Sequence, residues 1–216
     1  MGVIKPVRNQ ISPRQCVLWL VSAVMVSACA TTESSRTRAR IDIEEQVGFT
    51  ITEEARIGND VRRNYDQALQ YLEQGELEQG IQMLEAVVET APNLAAPRVD
   101  LGIAYHRSGN LDAAESSLLR ALESNPHHLI AHNELGILQR KSGRFAEARR
   151  SYEAALAIYP DYHYARRNLA ILCDLYLADL NCALGNYEAY MATVPSDDEV
   201  SMWITDLRYR IAQGEE

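Results

Sequence analysis

Four cysteines and five histidines are the side chains of this 216-residue sequence best suited to act as nucleophile, metal ligand or proton carrier. A metal centre needs three or four such groups, or carboxylates, converging at fixed spacing. The nearest approach is His127, His128 and His132, with the last two one helical turn apart, and no Cys or carboxylate completes the set. There is no Cys-x-x-Cys pair, no His-Glu-x-x-His helix, no glycine-rich phosphate loop and no nucleophile elbow. The sequence therefore predicts neither a catalytic site nor a metal or cofactor, and it predicts that the protein is not an enzyme. The formal net charge of −9 argues against a protein that grips a phosphate backbone, so no nucleic acid is expected.

One cysteine does stand in a chemical context. Residues 1–15 carry Lys5, Arg8 and Arg14 and no acid, and an uncharged run extends from Cys16 to Val26. That run is too short for a spanning helix and matches the basic and hydrophobic regions of a secretory signal. Next comes Val26-Ser27-Ala28-Cys29-Ala30, which resembles the bacterial lipobox, with small residues before a Cys that becomes the acylated N-terminus. The resemblance implies cleavage after Ala28, lipidation of Cys29 and, because Ala30 is not Asp, a place on the periplasmic face of the bacterial outer membrane. Several acyl chains on one residue hold a protein stably to a bilayer. Removing residues 1–28 takes three of the 21 basic residues and none of the 30 acids, leaving a net charge of −12.

Hydrophobic residues make up 47% of the chain, and most of them lie beyond this signal-like segment. Residues 29–52 read as a lipidated polar tether, with an r.m.s. reach of roughly 25 Å for a flexible coil of that length. Thr50-Ile51-Thr52-Glu53 has capping-box spacing and is expected to open the helical part, 53–196. There Gly75, Gly109 and Gly143 recur every 34 residues, as do Pro92, Pro126 and Pro160, with apolar residues at helical spacing between them.

This period, with Leu101-Gly102, Tyr105, Ala114, Leu118, Ala121 and Pro126, then Leu135-Gly136, Ala148, Tyr152, Ala155 and Pro160, resembles the tetratricopeptide repeat (TPR). The implied fold is all-α: a right-handed solenoid of helical hairpins with three clear repeats and a divergent fourth. Residues 197–216, with Val200, Trp203, Ile204, Leu207 and Ile211 on one face, are expected to be a C-terminal capping helix. In the fourth unit Cys173 and Cys182 stand where Tyr and Ala belong, and Gly185 should interrupt the second helix. With a turn near 178 the two cysteines face each other, which favours a disulfide over free thiols. It would contribute roughly 2.7 kcal/mol in a chain-entropy account.

The resemblance also implies a concave face lined by the first helix of each hairpin. Carried over, its positions are Tyr65 and Leu69; Val99, Ile103, His106 and Arg107; Asn133, Ile137, Arg140 and Lys141; and Arg167 and Ile171. Leu69, Ile103, Ile137 and Ile171 form an apolar strip of period 34, which could equally be core between repeats. Beside it stands a basic cluster of Arg140, Lys141, Arg144, Arg149 and Arg150, with Glu147 its only local acid. The expected function is a periplasmic scaffold that holds a protein or peptide in this groove, similar in layout to the pilotin lipoproteins that install type IV pilus secretins. The alternative is an accessory for envelope polysaccharide or for recruiting cell-wall enzymes.

Overall fold

The computed structural model describes residues 40–42, 50–52 and 58–214. The signal-like segment 1–28 and Cys29 lie outside the described residues. Two short strands, β1 (Arg40–Asp42) and β2 (Thr50–Thr52), pair antiparallel with Ile41 opposite Ile51. Thr50 therefore does not cap a helix: the β-branched triplet Thr50-Ile51-Thr52 is extended, and the first described helix starts at Asn59.

Helices pair as hairpins: α1 (Asn59–Glu73) with α2 (Leu77–Thr90), α3 (Ala96–Ser108) with α4 (Leu111–Ser124), α5 (Leu129–Lys141) with α6 (Phe145–Ile158), and α7 (His163–Leu175) with α8 (Leu180–Thr193). The terminal helix α9 (Asp198–Gly214) packs on α8. Each hairpin stacks on the next through α2–α3, α4–α5 and α6–α7, because one hairpin alone leaves an apolar face open. The expected all-α solenoid of hairpins is the fold.

Its period is built from two contacts. Gly75, Gly109 and Gly143 take φ of 81°, 84° and 74° in the turns within the first three hairpins, a left-handed conformation that side chains resist. Within the hairpins the helices touch where one residue has almost no side chain. A Cβ on Gly102 would come 2.8 Å from Leu118, and one on Gly136 would come 2.6 Å from the ring of Tyr152. Leu84, Leu118 and Tyr152, spaced by 34, are all among the largest fully buried side chains. Burying each contributes on the order of 2 kcal/mol.

The fourth hairpin solves the same problem differently. Leu177 stands where the period places a turn glycine, and the positive φ moves to Ala178, at 51°. The Sγ atoms of Cys173 and Cys182 lie at bonding distance across this turn, with their Cα atoms 5.9 Å apart. Asp179 caps α8 by accepting from the Cys182 amide at 3.1 Å. Gly185 does not interrupt α8, which runs unbroken through it because one mid-helix glycine costs only about 1 kcal/mol, offset by burial of Ala183, Tyr187 and Tyr190 on the same helix. In α9, Val200, Ile204 and Leu207 are buried, while Trp203 is half-buried with its ring 5.5 Å from that of Tyr187. The cap starts at Asp197, whose carboxylate accepts from the Val200 amide at 3.1 Å and from Tyr190 Oη at 2.8 Å.

Candidate functional site

The first helices of successive hairpins touch one another, α3 with α5 and α5 with α7, whereas no contact of similar extent joins α4 to α6 or α6 to α8 among the described residues. Closer spacing on the first-helix side makes that row the inside of the local curve. Its side chains are tied across the hairpins by pairs 35 or 36 residues apart, one or two residues beyond the period. Tyr65 donates to the Asp100 carboxylate, Asn168 Nδ2 to Asn133 Oδ1 at 2.9 Å, Lys141 Nζ to His106 Nε2 at 2.6 Å, Arg140 to Tyr176 Oη at 3.4 Å and Arg210 to Asp174 at 2.6 Å.

The deeper positions of the row are closed to a partner. Val99 and Asn133 are each 2% exposed and fill the seam between hairpins, so neither faces the opening as the repeat register implies. Burial also pushes the carboxyls of Asp100 and Glu134 above the ordinary range, against the hydrogen bonds from Tyr65 and Asn133. Tyr65, Leu69, Ile103, His106, Ile137, Arg140, Arg167 and Ile171 are half-buried, and Arg107 and Lys141 are exposed. Ile103, Ile137 and Ile171 pack against the buried core while keeping part of their surface open. The strip is therefore both seam and groove floor.

Two of the five cations of the basic cluster are neutralised. Arg144 makes two parallel bonds to Glu115 of α4 and a third, at 3.3 Å, to Glu147. Arg149 reaches Glu153 at 2.9 Å and Asp179, the N-cap of α8, at 3.4 Å. Glu115 and Asp179 lie about one repeat away in sequence, so a count of local charge overlooks them. Arg150 is exposed on α6, beside an open depression also lined by Leu122, His132 and Ser151. Arg167 lies 5.4 Å from the ring of Trp203 and 3.4 Å from Glu199. Arg107, Arg140 and Lys141 alone of the groove cations have no carboxylate within ion-pair distance among the described residues.

The histidines do not converge. His128 Nδ1 accepts from the Ala131 amide as the cap of α5, while His132 Nε2 turns to the Pro126 carbonyl at 3.0 Å. Burial holds His106 below the ordinary histidine pKa, assisted by Lys141, so its ring is neutral and accepts from the ammonium. Two groove residues escape the repeat register altogether. Leu175 and Tyr176, at the end of α7, are 68% and 42% exposed, and Tyr176 stacks on Phe145 with ring centroids 4.8 Å apart. Two large apolar residues just ahead of a turn that lacks its glycine are the sequence signal for them.

A stack of two-helix units with a first-helix groove defines a repeat protein of the helical-hairpin class. The tetratricopeptide repeat profile matches residues 65–128, 99–163 and 133–173, and the chain belongs to that family. Among solved structures it is similar to PilF of Pseudomonas aeruginosa, with a TM-score of 0.64 at 21% identity over 71% of this chain and 69% of that one. MamA of Desulfovibrio magneticus RS-1 has a TM-score of 0.63 at 19% identity, over 72% and 87%. A thermophilic TPR protein of Thermus thermophilus has 0.59 at 24% identity, over 70% and 82%. At these identities the likeness is one of fold. No curated protein sequence matches the chain.

Proposed function

We propose that this protein is a lipid-anchored scaffold on the periplasmic face of the bacterial outer membrane, holding a protein partner in the first-helix groove and assisting assembly of an envelope complex of the type IV pilus or secretion kind. The observation that carries the partner-binding part is the half-open strip Leu69, Ile103, Ile137 and Ile171, apolar surface that the hairpins leave uncovered along one side. The anchor rests on the lipobox-like Val26–Cys29 stretch. The fold likeness to PilF supports the pilus connection. In an oxidising periplasm Cys173 and Cys182 form a disulfide.

Two substitutions test the two halves separately. Cys29→Ala should move the protein from the membrane fraction to the soluble periplasmic fraction; a variant still in the membrane fraction would remove the lipoprotein reading. Ile137→Glu should abolish partner capture from detergent-solubilised membranes with helix content unchanged, whereas a collapse of the melting temperature would show that Ile137 is only core.

A further inference from the structure

We infer that the edge of the groove where α3, α5 and α7 end, built from Arg107, Arg140, Lys141, Leu175 and Tyr176, docks an acidic peptide segment that also carries aliphatic or aromatic side chains. This rests on the scaffold reading, since it names the chemistry of the partner for the same groove.

The first support is where charge is left over. In a chain of net −9, Arg144 is matched by Glu115 and Glu147, Arg149 by Glu153 and Asp179, and Arg210 by Asp174 and Asp206, while Arg150 points away on α6 beside a separate depression. Among the described residues Arg107, Arg140 and Lys141 have no carboxylate within ion-pair distance, and all three fall in the last turns of α3 and α5. Lys141 bridges to His106 at 2.6 Å, Arg107 follows His106 in α3, and Arg140 precedes Lys141 in α5. His106 adds a hydrogen-bond acceptor and no carboxylate. Glu134, two turns back on the same face of α5, feels the Lys141 charge but is half-buried, bonded to Asn133 and beyond ion-pair distance of Lys141.

The second support is the apolar step beside these cations. Leu175 is the most exposed large apolar residue of the described chain, and Tyr176 lies next to it with the Arg140 guanidinium 5.7 Å from its ring. Both sit between Cys173 and Cys182, so the pair that closes this turn also holds the step in place. A surface ordered before binding loses less entropy when a partner lands. Carboxylates over three unmatched cations with an apolar side chain on the step fit an acidic, partly hydrophobic peptide. A polyuronic acid would satisfy the cations but leave Leu175 uncovered.

A purely structural role for the cations is available, because they fall in the last turns of α3 and α5 and favour the helix dipole. The test separates the two. Binding of a fluorescent dodecapeptide of three Asp-Phe-Glu-Leu units to the full mature chain in detergent should be about tenfold tighter than binding of its Asn-Phe-Gln-Leu counterpart. The double variant Arg107→Glu, Lys141→Glu and the single variant Leu175→Ser should each weaken the acidic peptide about tenfold, with helix content and melting temperature close to wild type. Equal binding of the two peptides, or no loss in these variants, overturns the inference, as does polygalacturonate binding where the acidic peptide does not. Ile137→Glu distinguishes the two levels. If it removes both peptides and they bind alike, the groove reading stands and the acidic edge falls; if it removes neither while the charge reversal does, the edge stands without the groove.

Discussion

Arg144, at the N-cap of α6, clasps Glu115 of α4 through two parallel hydrogen bonds of 2.7 and 2.6 Å, joining consecutive hairpins. The bidentate geometry is the strong form of this pair, but both side chains keep solvent contact, at 35% and 25% exposure. Glu115→Gln should therefore cost less than about 1 kcal/mol in urea unfolding at low salt, and the difference should shrink at high salt. A loss of several kcal/mol would mean that the pair is a structural keystone and not a surface clasp.

Gly136 and Gly185 give opposite expectations. A methyl group on Gly136 meets Tyr152 at 2.6 Å, and Tyr152 is fully enclosed, so Gly136→Ala should destabilise by about 1–3 kcal/mol. Gly185 lies mid-helix in α8 with nothing within 4 Å of its added Cβ, and Gly185→Ala should stabilise by about 0.5–1 kcal/mol. Thermal melts of both variants check the sign, and a stabilised Gly136→Ala would refute the close-approach account of the hairpin.

Acid should weaken the stack through His128. Burial lowers this histidine from the ordinary 6.5 to about 4, opposed by its backbone bond and reinforced by His132. Its Nδ1 must stay unprotonated to accept from the Ala131 amide. The folded state thus binds fewer protons than the unfolded chain between these pH values, and stability falls as pH drops from about 6.5 to about 4. The loss from this group is on the order of 3 kcal/mol. His128→Asn keeps a capping acceptor without titrating and should flatten that part of the pH–stability curve; an unchanged slope would exclude His128 as its source.

The turn after α7 should depend on its cysteines. Replacing Cys173 and Cys182 together by Ala should lower stability by about 2–3 kcal/mol, and dithiothreitol should lower the wild-type melting temperature while leaving the variant unmoved. Free thiols titrated in the unreduced mature protein would end the disulfide reading. Ala178, at φ 51°, stands in the conformation glycine holds in the three earlier turns, so Ala178→Gly should relieve strain of about 1 kcal/mol.

The amino-acid order alone determined the repeat. A 34-residue period of turn glycines, closing prolines and facing small and large residues is local information, because each hairpin must solve the same packing problem as the last. The repeat register of Gly136 and Tyr152, the turn near 178, and Cys173 facing Cys182 across it were legible for that reason, whereas the direct contact of Gly136 with the Tyr152 ring was not. Other features were decided only when the hairpins stacked. Arg144 and Arg149 find Glu115 and Asp179 about one repeat away, which removes two of the five members of the basic cluster, and Val99 and Asn133 disappear into the seam between first helices. Thr50 lies in an extended pair, Gly185 passes through a continuous helix, and Leu175 and Tyr176 emerge beside Arg140. Charge pairing and burial depend on which surfaces meet across a repeat boundary, and the pattern within one repeat carries no record of that meeting.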